Sequence, residues 1–218
     1  MILPAAFAAL ALVAVSPAVA VESADYGQAF VDSFAEACVP QRLSYPGTQT
    51  QAESLGWTPT QPGAHAELAS MMAIAEAAAS DPELPAEFDY RIYARPIEGQ
   101  THYLVVSRAA FTIGEPDDPL NPWVYIGCYL YNLDATAPID PAPVSALTGN
   151  PVANEVDEEG LVSYVWGPPC PMPRTGDTYL SFIAEDSPHV SLTGFSGLMM
   201  KFDTSEPDEG AEPPEPYC

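Results

Sequence analysis

The hydrophobic period of this chain changes once, at Pro85, and that change constrains the fold more than any other feature. Before it, apolar residues recur every three to four positions. Phe30, Phe34 and Cys38 share one stripe of a helix predicted over 24–38, with Ser23 as N-cap, Asp25 in the first turn and Pro40 as the stop. A polar segment, 41–51, leads to a short helical turn ending at Gly56-Trp57, where Trp57 reads as a plug at the core edge. Leu68, Met71, Met72, Ala75 and Ala79 mark a second helix over 62–80, whose alanines suit close packing on a sheet.

After Pro85 the pattern alternates, which is the period of a strand. In 88–95, Phe88, Tyr90, Ile92 and Ala94 point one way and Asp89, Arg91, Tyr93 and Arg95 the other. A strand over 101–111 follows, with Glu98-Gly99 as the hairpin turn between the two. A third strand, 123–133, has an aliphatic side (Val124, Ile126, Cys128, Leu130) and an aromatic side (Trp123, Tyr125, Tyr129, Tyr131), with Gly127 among the aromatics. A short helical turn is expected within 145–154, and strands over 161–166, 178–184 and 190–202. The last carries Gly194 and Gly197 and so reads as two pieces or a bulged strand. Helices first and strands afterwards is the order of an α+β domain. The expectation is an antiparallel sheet of about five to seven strands, with two N-terminal helices packed on one face and disulfides stapling them.

Residues 1–21 contain no charged side chain, and 2–15 form an apolar run. Pro17 and the small residues Ala18-Val19-Ala20 then match a signal-peptidase site, so 1–20 reads as an export signal cleaved after Ala20, although no basic residue precedes the run. An uncleaved anchor is the rival, and Pro4, Ser16 and Pro17 count against it. On this reading 21–202 is a single domain, 203–218 is an acidic, Pro-rich tail, and the mature protein works in the bacterial periplasm or outside the cell with no membrane span.

The four cysteines, Cys38, Cys128, Cys170 and Cys218, fit an oxidising compartment. Their wide spacing suits no zinc knuckle. Of three pairings, Cys38–Cys128 with Cys170–Cys218 is preferred. Cys38 closes a helix, Cys128 lies on the aliphatic side of a strand where a helix would pack, and a chain that ends in Cys is explained if the bridge pins it. An intermolecular bond through Cys218 stays open.

Thirty Asp and Glu against six Lys and Arg leave a net charge of −24. Nucleic acid is excluded as a partner, because phosphate contacts need a basic face. An anionic membrane leaflet is disfavoured for the same reason. The charge instead selects a basic protein or another cationic ligand, or else serves hydration in a saline habitat. It sits mainly in loops and tail. The strands 88–95, 101–111 and 123–133 together carry one acid, Asp89, and three arginines.

Catalytic motifs are absent. Gly194-Phe195-Ser196-Gly197-Leu198 resembles a nucleophile elbow but has Leu198 where the pattern requires glycine. His65, His102 and His189 stand alone, without metal-ligand spacing, and His65 and His102 read as surface residues. The clusters 115–118 and 157–160 lack the alternating oxygens of a calcium loop and read as solvated acidic loops. No phosphate loop is present, and no metal or cofactor is expected. The candidate binding residues are therefore Trp123, Tyr125, Tyr129 and Tyr131, with Tyr93 and Tyr103 joining them across the sheet. They are weighed against ordinary aromatic packing on a covered sheet face. The functional expectation is a non-catalytic binding or envelope-associated module, and the alternative is a periplasmic hydrolase using acidic residues.

Overall fold

The two sides of the third predicted strand are the two sides of the molecule. The computed structural model describes residues 22–112, 121–207 and 215–216; the segment read as an export signal, the 115–118 cluster and Cys218 lie outside them. Eight strands form one antiparallel sheet: β1 (Thr58–Thr60), β2 (Ala86–Ile97), β3 (Gln100–Phe111), β4 (Trp123–Asn132), β5 (Asn154–Glu158), β6 (Leu161–Trp166), β7 (Thr175–Ile183) and β8 (Gly197–Ser205). Their spatial order is β1-β2-β3-β4-β8-β7-β6-β5. The chain leaves β4, builds the β5–β6–β7 meander, and returns through β8 into the gap between β4 and β7.

The strand count exceeds the expected five to seven. Both unforeseen strands, β1 and β5, lie at the sheet's edges, where burial on one side of the ladder is missing and the sequence pattern is weakest. The β2–β3 hairpin turns at Glu98-Gly99, both at positive φ, in the register Ile97↔Gln100. These two left-handed residues match the twist of the flanking strands.

The helices are α1 (Ala24–Cys38), α2 (Tyr45–Ser54), α3 (Ala66–Ala79), α4 (Ala142–Thr148) and the single turn α5 (Val190–Thr193). Helix α1 has the expected bounds, and Ser23 Oγ accepts from the Tyr26 N–H at 3.3 Å. Its stripe, Phe30, Phe34 and Cys38, is buried with Leu104, Val106, Ile126, Cys128 and Leu130 in the larger core. Trp57 is buried in the same cluster, and the Arg95 guanidinium lies 4.6 Å from its ring centre.

Helix α3 does not share that face. Leu68, Met71 and Met72 pack on Ile92, Tyr103, Val105 and Tyr131, which project from the other side of the sheet. The expectation that both N-terminal helices lie on one face is therefore corrected. An Ala-rich helix carries too little contrast between its faces to reveal which layer it joins. A second correction concerns 190–193, which form α5 rather than a strand; Gly194, at φ 80, ends that turn before β8 begins.

The Cys38–Cys128 disulfide is present and ties the end of α1 to the centre of the sheet. Cys170 is also disulfide-bonded, and the pairing expected for it involves Cys218, outside the described residues. Among the described residues no helix is long and apolar enough to cross a membrane.

His102, expected at the surface, is fully buried beneath α1. Its Nδ1 lies 2.9 Å from the Gln100 carbonyl, which can only accept, so Nδ1 carries the proton. Nε2 then accepts from the Tyr26 hydroxyl at 2.9 Å, and that hydroxyl accepts from Asn132 Nδ2 at 2.7 Å. Asn132 Nδ2 also donates to Gln100 Oε1 at 2.6 Å. The network joins α1, β3 and β4, and neutral imidazole satisfies it in full.

Candidate functional site

The four aromatic residues of β4 occupy one face but not one environment. Trp123 and Tyr125, at the start of the strand, are each 38% exposed and stack with ring centres 5.9 Å apart. Tyr131, near its end, is buried and meets Phe195 edge-on at 5.5 Å. Tyr129 lies between, half-buried. Helix α3 covers this part of the face.

Tyr103 joins the aromatic side, opposite Tyr131 in the register. Tyr93 does not. It pairs with Leu104 and lies in the α1 core, on the opposite face. The alternation along 88–95 sets Tyr93 on the face opposite Ile92, as it is in the sheet.

Tyr129 is held from within. Its hydroxyl donates to Asp203 Oδ1 at 3.0 Å, and burial, reinforced by the Asp203 carboxylate, pushes its pKa well above the ordinary phenol value. Lys201, the chain's one lysine, lies 4.8 Å from the Tyr179 ring centre and 5.6 Å from that of Tyr129. Its Nζ is 3.4 Å from Asp203 Oδ2. The rings and carboxylate that would attract an outside cation here already hold the protein's own.

Gly127 makes room for this arrangement. A Cβ there would lie 2.5 Å from Tyr129 Cε2 and 2.7 Å from Ser107 Oγ. Gly127→Ala is expected to force the Tyr129 ring aside and cost about 1–3 kcal/mol, as overpacking does. A urea-unfolding midpoint indistinguishable from wild type would show that the ring has somewhere else to go.

A different group of side chains meets at the other end of β4. The start of α3, the segments that leave β4 and β7, and the residue that precedes β8 surround a cleft of about 510 Å³. His65, Glu67, Asp134, Glu185 and Ser196 line it, and no lysine or arginine does. His65 is the N-cap of α3, and its Nδ1 accepts from the Glu67 N–H at 3.3 Å. That bond leaves Nε2 free to carry the proton, 4.0 Å from Asp134 Oδ1.

Glu67 stands in the first turn of α3, where the helix dipole favours a carboxylate. Its Oε1 accepts from the Ser196 hydroxyl at 2.9 Å, and its Oε2 is buried without a hydrogen-bond partner among the described residues. Ser196 is placed by Gly197. At φ 91, Gly197 lets the chain pass close to the Asn132 carbonyl, where a Cβ would collide.

Ser196 and His65 were both singled out from sequence, for motifs that failed. What joins them to Glu67, Asp134 and Glu185 is the return of β8 between β4 and β7. No local spacing carries that signal. The acids of 157–160 are placed differently from expectation: Asp157 and Glu158 belong to β5, and Glu159-Gly160 is its hairpin turn rather than part of a loop. Among the described residues no three His, Cys, Asp or Glu side chains are grouped as a metal ion requires.

No protein-family model, no curated protein and no solved structure matches this chain.

Proposed function

We propose that the protein is an exported, non-catalytic binding module of an oxidising compartment such as the bacterial periplasm. Its ligand is an amine-bearing molecule or the basic side chains of a partner, held in the cleft at the end of β4. The observation that carries this reading is the lining: three carboxylates, Glu67, Asp134 and Glu185, with no lysine or arginine to neutralise them.

The disulfide is compatible with export. The charge of −24 raises the local concentration of any cation around the cleft. Trp123 and Tyr125, the two β4 aromatics that a partner can reach, lie roughly 30 Å away along the strand, so they would form a separate contact rather than part of this one.

Calorimetric titration with 1,4-diaminobutane at low salt tests the reading. Binding is expected, with an affinity that falls as salt screens the carboxylates. Glu67→Gln and Asp134→Asn are each expected to weaken it about tenfold, since a charge-assisted hydrogen bond contributes about 1.5–3 kcal/mol. Equal affinity in wild type and both variants would refute it. One observation favours the alternative, a hydrolase using acidic residues: Glu67 is placed to accept the Ser196 proton. Ester hydrolysis abolished by Ser196→Ala would establish that reading instead.

A further inference from the structure

The sheet has two edges, and the sequence treats them differently. On the first, β1 covers only Ile92, Tyr93 and Ala94 of β2. The exposed stretch beyond is closed by its own side chains. Asp89 Oδ1 accepts from the Tyr90 N–H at 2.9 Å, while Arg91 Nη1 donates to the Tyr90 carbonyl at 2.8 Å and to Asp89 Oδ1 at 3.1 Å. A strand arriving here would find the Tyr90 backbone groups taken, a common way of blunting an edge.

The second edge, β5, has no such clamp. Among the described residues it pairs only with β6, in the register Asn154↔Val165, Val156↔Ser163 and Glu158↔Leu161, closed by Glu159 at φ 50 and Gly160 at φ 78. In a two-residue hairpin the pair beside the turn is hydrogen-bonded and bonding alternates from there. The N–H and C=O groups of Glu155 and Asp157 therefore point away from the sheet. Both residues are exposed, and no hydrogen bond from another described residue reaches their backbone.

Their side chains share a face with Tyr164, whose hydroxyl is pushed above its ordinary range first by burial and then by Glu155, Asp157 and Asp140. An antiparallel β5–β5 pair would bring Glu155, Asp157 and Glu158 against the same acids of the second copy, which like-charge repulsion opposes. A strand with lysine or arginine at alternate positions would instead pair its charges with Glu155 and Asp157 while its backbone completes the ladder.

We propose that the outer edge of β5 is a strand-addition site for an extended, basic peptide segment of a partner protein. The site is separate from the cleft and stands without it.

The test uses the full mature chain and the peptide Thr-Lys-Thr-Lys-Thr-Lys-Thr at low salt. Amide hydrogen exchange at Glu155 and Asp157 is expected to slow at least tenfold on binding, with Tyr90 unchanged. Saturating 1,4-diaminobutane in the cleft is expected to leave the site of protection the same. Glu155→Lys with Asp157→Lys is expected to weaken binding at least tenfold. If that variant fails to fold, a peptide N-methylated on the edge-facing side supplies the control. It keeps every charge, loses the ladder hydrogen bonds, and is expected to bind at least tenfold more weakly. An N-methylated peptide that binds as tightly as the parent, protection that appears elsewhere than β5, or no binding at low salt would each overturn the proposal.

Discussion

Replacing Cys38 and Cys128 together by alanine is expected to lower the unfolding free energy by about 4 kcal/mol. The bridge spans 90 residues of sequence. Closing a loop of that size in the unfolded chain corresponds to roughly 4–5 kcal/mol in the chain-entropy model, and removing native bridges from small domains costs about 2–5 kcal/mol in practice. The position of this bridge supports the upper part of that range. Both cysteines are at most 1% exposed, and Cys128 lies on a central strand that the α1 core covers. Without the bridge, α1 is held to the sheet by side-chain packing, the His102 network and the hydrogen bonds of Arg42, just past its end, with Thr175 and Thr204. Urea unfolding of the double variant measures the effect. A loss below about 1 kcal/mol would mean that the packed helix needs no staple.

Acid is expected to weaken the fold through His102, by about 3 kcal/mol between pH 6.5 and pH 4. Burial beneath α1 pushes its pKa down from the ordinary 6.5 to about 4, against a smaller upward pull from the Gln100 carbonyl and with a small contribution from Arg95. Tyr26 and Phe30 of α1, Gln100 and Asn132 are the groups packed on it, and none of them carries a charge to offset an imidazolium.

Below pH 6.5 the unfolded chain takes up a proton that the folded one refuses until about pH 4. The stabilisation from neutral His102 is therefore complete above pH 6.5 and is lost as pH falls through that window. Each pH unit corresponds to about 1.4 kcal/mol. In His102→Gln the pH dependence of stability between 4 and 6.5 is expected to drop by nearly one proton. Parallel pH profiles for wild type and variant, from urea unfolding at several pH values, would show that the imidazole titrates normally in the fold.

How much of this was legible beforehand varies by element, for physical reasons. Strand β4 announced both faces, because a strand buried on its two sides must be apolar throughout yet still alternate in size and aromaticity. The same pattern made the Cys38–Cys128 pairing readable: a cysteine closing an amphipathic helix and a cysteine on the aliphatic side of a strand point into one core. Strand β5, Asn-Glu-Val-Asp-Glu, has one apolar residue in five and carries no such alternation. Strand β1 is three residues with a central proline, so its pairing depends on β2 being there already.

His102 looked like a surface residue because its partners, Tyr26 and Asn132, are 76 and 30 residues away, and only the docking of α1 brings them together. The cleft is the extreme case. Its residues come from α3, the end of β4, the end of β7 and the start of β8, each unremarkable in its own neighbourhood. Their meeting is a property of the strand order, which local periodicity does not encode.

The most direct measurement of cation binding in that cleft is a map of backbone amide shifts in the protein as 1,4-diaminobutane is added at low salt. Perturbations that saturate and concentrate at Glu67, Asp134, Glu185 and Ser196, and that vanish in Glu67→Gln with Asp134→Asn, are the predicted result. Shifts scattered over acidic residues across the surface without saturation, or unchanged in the double variant, would contradict it.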